Sequence, residues 1–150
     1  MPLSKYTRSQ NIMDVINGLN TGTAQYPTTW IALSTTAPNA DGTGVTEPSG
    51  NGYSRIPTRY NIMSGMQQYV SNFPNSATYD SGTDKYSISN TKDIYFYEAT
   101  GSWGTITHFA IFSSSSGGNM IAYGALNSPI SPAADTIPVI RAGQLTIVEQ

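Results

Sequence analysis

The sequence predicts a mainly β fold, an antiparallel β-sandwich of jelly-roll-like kind with a short α-helix at its N-terminus. Three observations point there. Only 11% of the residues are charged, against roughly 25% in an ordinary globular protein; Ser, Thr, Asn, Gly, Gln and Tyr supply the polarity instead. β-branched and aromatic residues favour pleated surfaces, while Gly, Asn, Pro and Ser favour bends, and a helical bundle would be rich in Ala, Glu, Lys and Leu. From Ile94 onward, apolar stretches of strand length recur at spacings of roughly 10 to 13 residues with turn residues between them. The length of 150 residues is that of one domain, 1–150, with a core of its own. No internal repeat of solenoid or propeller period is visible.

The first element is the helix. In "SKYTRSQNIMDVINGL", Ile12, Val15, Ile16 and Leu19 recur at i, i+3, i+4 and i+7, one apolar face. Thr7 and Gln10 have the spacing of a capping box, and Gly18 or Gly22 is a natural stop for the helical segment 1–22. A helix of about a dozen residues is marginal alone, so it packs on its own domain or on a partner. After "NTGTAQYP", the stretch Thr28 to Thr36 ("TTWIALSTT") reads as a compact strand, and Pro38 to Gly52 as an extended irregular loop. "YSRIPTRYNI" reads as a strand that Pro57 confines to an edge or a bulge. Residues 64–90 mix aromatic and turn residues and read as an insertion. "DIYFYEA" is a strand, "TGSWG" a turn, "TITHFAIF" a strong strand, "SSSSGGN" a turn and "MIAYGAL" another strand. "NSPISPAAD" reads as a loop whose two prolines rule out a central strand, and "TIPVIRAGQLTIVEQ" indicates two last strands around Ala142 and Gly143.

The function classes narrow by exclusion. The chain has 7 basic and 9 acidic residues, a formal net charge of −2, with the basic residues spread along the sequence. Nucleic-acid binding therefore lacks its main electrostatic drive, and so does an anionic membrane surface. No apolar run reaches the roughly 20 residues that span a bilayer, and no secretory signal segment opens the chain. Without cysteine, disulfides and thiolate metal sites are excluded. The lone histidine, His108, lies in the strand "TITHFAIF". Regular alternation puts it on a face with Ile106, Ala110 and Phe112, opposite Thr107, Phe109 and Ile111. Both faces are mostly apolar, so the strand is covered on both sides, and His108 is a neutral wall residue with one or two local hydrogen bonds. No G-x-S-x-G, P-loop or G-x-G-x-x-G occurs, and one histidine does not make a zinc site. Asp93 and Glu98 do not form a glycosidase pair, because they fall on opposite sides of a regular strand. "NADGTG" has a calcium-loop flavour but lacks the later ligands, so Asp41 reads as part of a turn that bonds its own backbone. No catalytic residue, cofactor or metal is expected. The 10 tyrosines and 2 tryptophans fill half-buried sheet positions or form a sugar- or protein-binding surface.

"WIALSTTAPNADGTGVTEPSGNGYSRIP", "SWGTITHFAIFSSSSGGNMIAYGAL" and "RAGQLTIV", following an N-terminal helix, resemble a family of small bacteriophage virion proteins labelled tail-fibre or head-decoration proteins. The resemblance rests on the G-x-GYxR element at Gly50 to Arg55 and on "WGTITHFAIF…GGN". It covers roughly residues 1–60 and 90–150, and the middle departs from it. It implies a virion structural protein with no catalytic residues, made in the bacterial host cytoplasm and carried on the particle. The residues fit scaffold roles. Trp103 and Gly104 make a tight lead into the central strand with the indole over the sheet end. Gly117, Gly118 and Asn119 turn the chain into the next strand through positive φ. Tyr53 and Arg55 share a side, where Arg55 stacks on an aromatic ring or holds a loop carbonyl.

The expected function is a non-enzymatic building block, a capsid-bound decoration or head-fibre protein; the alternatives are a tail-fibre or baseplate component and a glycan-binding adhesin. The expected partners are capsid or tail proteins and further copies of the chain, with a trimer as one option, and for the adhesin a host surface glycan. Candidate contacts are Ile12, Val15, Ile16 and Leu19 on the helix, and Asp41 and Glu47 on the long loop.

Overall fold

The computed structural model describes residues 4–9, 29–61, 69–71, 73–74 and 77–148. The chain is mainly β. Residues 5–9 are helical, and the described residues form eleven strands: β1 (Trp30–Ser34), β2 (Ile56–Pro57), β3 (Arg59–Asn61), β4 (Tyr69–Ser71), β5 (Thr78–Asp80), β6 (Lys85–Ser89), β7 (Ile94–Tyr95), β8 (Ile106–Phe112), β9 (Met120–Ile130), β10 (Val139–Ile140) and β11 (Thr146–Val148). The largest sheet has the order β2-β1-β8-β9; the others are β10-β7, β11-β6-β5 and β3-β4. All pairings are antiparallel.

The apolar run in β8 has the physical cause expected of it: both faces are covered. Phe109 and Ile111 enter the main core, whereas Ala110 and Phe112 pack with Ala32 on the other face under Val45, Met120 and Tyr123. Val45 belongs to the long loop, so an irregular segment acts as the second cover. The alternation is broken at one point. The β8–β9 register shifts between Ile106 and His108, with the extra residues on the β9 side, and Ile106 lies in the main core with Phe109 and Ile111, away from the His108 face that regular alternation assigns to it.

The main core takes Ile31, Leu33, Ile106, Phe109, Ile111 and Leu126 from the large sheet, Ile88, Ile94, Ile140 and Ile147 from the smaller ones, and Leu145 from just ahead of β11. Sheet faces opposed in this way make a sandwich-like, two-layered β structure. The layers are also joined along their edge. β9 continues through Asn127 to Ile130, a stretch expected as a loop; it is an edge strand, and an edge accommodates Pro129. Its far half reaches β11 through the Leu126–Leu145 bridge and the Asn127 N–H to Gln144 carbonyl bond of 3.0 Å. Pro57 likewise lies in an edge strand, β2. The stretch "DIYFYEA" forms only a two-residue strand, Ile94–Tyr95, followed by irregular backbone that still bonds the opposite segment. Within 64–90, β6 is built into the same sheet as β11, with Ile88 in the core.

One buried polar side chain organises the C-terminal turn. Asn90 donates from Nδ2 to the carbonyls of Lys92 (2.9 Å) and Arg141 (3.0 Å), and its Oδ1 accepts from the N–H groups of Gly143 (3.1 Å) and Leu145 (3.0 Å). The helix begins earlier than a Thr7–Gln10 capping box implies. Ser4 is the cap: its Oγ accepts the Thr7 N–H at 3.2 Å, and its carbonyl accepts the Arg8 N–H at 3.0 Å. Gln10, the face of Ile12, Val15, Ile16 and Leu19, and the stop at Gly18 or Gly22 lie outside the described residues.

Candidate functional site

The densest polar constellation among the described residues joins Glu47, Tyr53 and Arg55. Tyr53 and Arg55 lie two residues apart on the extended segment leading into β2, so both reach the same side, where Glu47 arrives from the long loop. The Tyr53 hydroxyl donates to Glu47 Oε1 at 2.6 Å and accepts the Leu33 N–H at 3.0 Å. Arg55 meets the carboxylate in a fork, Nε to Oε1 at 3.0 Å and Nη2 to Oε2 at 2.8 Å. Its Nη1 donates to the carbonyls of Ser114 and Gly117, both at 2.8 Å. The guanidinium also lies 3.9 Å from the centroid of the Phe112 ring, a cation–π contact. One arginine thus ties the long loop, the start of β2 and the β8–β9 turn together.

The electrostatics follow from this geometry. Burial pushes the Glu47 carboxyl up, but the hydrogen bonds from Arg55 and Tyr53 and the charge of Arg55 outweigh it, and the group stays below its ordinary value. Burial first, and then the bond to the Glu47 carboxylate, push the Tyr53 hydroxyl far above its ordinary value. Glu47 therefore stays ionised and Tyr53 un-ionised around neutral pH. With their hydrogen bonds made inside the chain, these groups fix loops.

Asp41 accepts the Thr43 N–H at 3.0 Å and the Thr43 hydroxyl at 2.6 Å, which lowers its carboxyl below the usual range. This is an Asx turn. Trp103 is buried; its Nε1 donates to the Asn51 carbonyl at 2.8 Å, and its ring meets Tyr53 edge-on at 5.2 Å and Phe96 at 6.4 Å. Gly104 follows at a φ of 79°, a backbone state that glycine adopts without strain. Gly117 and Gly118 have φ of 62° and 76°, and Asn119 closes the turn by accepting the Ser113 N–H on its carbonyl at 3.0 Å and donating its own N–H to Ser113 Oγ at 2.9 Å.

His108 is half-buried, with Nδ1 2.7 Å from Thr107 Oγ1. Its cross-strand partner is Ser34. That hydroxyl donates to the Thr36 carbonyl at 2.7 Å and accepts the Thr46 N–H at 2.9 Å, so it is engaged with loop backbone and is not bonded to the imidazole. Among the described residues, no cluster of three or more His, Cys, Asp or Glu can hold a metal ion, and no helix is long and apolar enough to cross a membrane. Sequence reasoning missed Ser34, one serine among many. It also missed Asn51, which anchors Trp103 and whose pairing with Gly52 is a turn dipeptide visible in the sequence. The aromatic surface differs from an open tryptophan platform: Trp103 is buried and Trp30 half-buried, while Tyr6, Tyr95 and Tyr97 are exposed.

Residues 2–148 match the family model described as podophage GP4 fiber I protein gp80. The chain belongs to this family of phage fibre proteins. The match runs through the middle stretch as well as the flanking blocks. No curated protein matches the chain. A phage fibre family fits a β-rich structural protein and implies association with other virion components.

Proposed function

We propose that this chain is a non-enzymatic fibre subunit of a phage particle that works by attachment to other virion proteins and by self-association. The family match over residues 2–148 carries the reading. The polar groups described above support it: the Glu47–Tyr53–Arg55 knot, Ser34 and Asn90 all hold backbone segments in place, as a rigid building block requires. The family's description as a fibre protein supports the fibre role over capsid decoration, the role that the compact, shaftless chain first suggests. Candidate attachment points are the N-terminal segment with Ile12, Val15, Ile16 and Leu19 and the exposed loop around Asp41; Glu47 acts by shaping that loop. Particles produced without the chain are expected to lack a fibre that purified chain restores. A variant lacking residues 1–20 is expected to keep its β-structure and lose particle attachment. Normal fibres on particles without the chain contradict the reading, and saturable, sugar-competed host binding by the isolated chain replaces it with an adhesin.

A further inference from the structure

We infer that residues 5–9 form a releasable strap, a basic helical turn that Lys5 and Arg8 clasp onto the β5–β6 hairpin and that opens while the β-structure stays folded. This deepens the fibre reading and rests on it only for what the strap carries, the N-terminal segment proposed for attachment.

The receptor is built into the hairpin. Tyr79 and Tyr86 are cross-strand partners, and their ring centroids lie 5.1 Å apart, a pairing that steadies the hairpin. Between the strands, Asp80 holds the turn: its Oδ1 accepts the Gly82 N–H and its Oδ2 the Thr83 hydroxyl, both at 2.9 Å. Asp84 then takes a φ of 53°, a left-handed state that aspartate tolerates through its short polar side chain. The Tyr79 hydroxyl donates to Asp84 Oδ1 at 2.7 Å. That bond first, and then the charge of Arg8, hold the Asp84 carboxyl below its ordinary value. Two aromatic faces and one fixed carboxylate suit a basic segment.

The strap matches them. Lys5 and Arg8 are three residues apart on the helical turn and share a side. Lys5 Nζ lies 4.1 Å from the Tyr79 ring centroid, and the Arg8 guanidinium 5.7 Å from that of Tyr86. Arg8 donates from Nη1 to Asp84 Oδ1 at 3.5 Å and from Nη2 to the Asp84 carbonyl. The hold is nevertheless weak. A helical turn of this length has no stability of its own. None of residues 4–9 belongs to either apolar cluster, and Tyr6, between the two cations, is 75% exposed. A cation–π contact at an exposed site and a surface ion pair each shift an equilibrium about two- to fivefold. Two of the first and one of the second close the strap about ten- to hundredfold. The β-structure rests on its buried core, so the strap opens locally before the domain unfolds.

Trypsin digestion of the purified full chain tests this, with cleavage after Lys5, inside the strap, followed by mass spectrometry; the rate reads the open population. A synthetic peptide of residues 1–12 gives the unclasped rate. The full chain is expected to be cut about ten- to hundredfold more slowly than the peptide. Asp84→Asn removes the charge and keeps a residue that tolerates the left-handed state. It and Tyr86→Leu are each expected to speed cleavage at least about twofold, with an unchanged far-ultraviolet circular dichroism spectrum. Asp84→Asn carries the test if Tyr86→Leu does not fold. Asp93→Asn, which breaks the separate ion pair with Arg141, is expected to leave the rate unchanged. Cleavage at the peptide's rate, a rate indifferent to Asp84→Asn, or equal acceleration by Asp93→Asn overturns the inference. So does cleavage that begins only when urea has unfolded the β-structure. The rates are read on the isolated chain, so a fibre reading that fails on particles leaves them standing.

Discussion

Replacing Arg55 by Leu tests the energetics of the knot most sharply. The arginine side chain is 7% exposed and that of Glu47 26%. The substitution strands the carboxylate with only the Tyr53 hydroxyl as donor, removes both bonds to the Ser114 and Gly117 carbonyls, and uncovers Phe112. Breaking a fully buried ion pair by deleting one partner costs about 3–5 kcal/mol. Water reaches part of Glu47, which reduces this to about 2–4 kcal/mol, a large share of the roughly 5–15 kcal/mol of a typical domain. In a urea titration followed by tryptophan fluorescence, with a slope of about 1–3 kcal/mol per molar, the midpoint is expected to fall by about 1–2 M. Adding Glu47→Gln removes the stranded charge, so the double variant is expected to be less destabilised than the sum of the single changes. A loss below about 1 kcal/mol for Arg55→Leu, or strict additivity in the double variant, refutes the reasoning.

The same knot sets two pH limits. Glu47 is held below its ordinary value, so its contribution is present above the ordinary carboxylate range and is lost as pH falls through the folded-state value. Tyr53 is pushed up, so its contribution is present below the ordinary tyrosine value and fades as pH rises beyond it. Tyrosinate absorbance of the folded chain is therefore expected to leave one buried residue un-ionised until unfolding, and Tyr53→Phe to remove that delayed step. Gly52→Ala is expected to cost at least about 2 kcal/mol, because a Cβ would lie 2.5 Å from the Glu98 carbonyl oxygen at a φ of +79°; thermal denaturation measures it. His108→Asn is expected to shift stability by less than about 1 kcal/mol and leave particle attachment intact; loss of a hydrolytic activity in a folded variant contradicts the wall role.

The large sheet is easy to read because β1 and β8 are short, largely apolar runs rich in β-branched and aromatic residues and bounded by turn residues, features that favour a strand over a buried helix segment. The proline rule keeps both β2 and the end of β9 out of the centre of the sheet, and both are edges; the loop reading of Asn127 to Ile130 differs, because an edge strand accommodates Pro129. The irregularity beside Ile106 is not legible because alternation assumes a regular ladder, and the extra residues lie on the partner strand between Ala125 and Ile130. Tyr53 and Arg55 were legible as a pair through their spacing, while their link to Glu47 depends on how an irregular loop folds back, which no periodicity encodes. Ser4 was overlooked as the cap because the Thr7–Gln10 spacing offered a stronger pattern.

A cryo-electron microscopy map of the particle bearing this chain tests the central claim most directly. The account predicts density for the two-layered β structure within a fibre, docked through its neighbours and repeated as copies of the chain. A particle whose fibres contain no such density, or a chain absent from the purified particle, contradicts it.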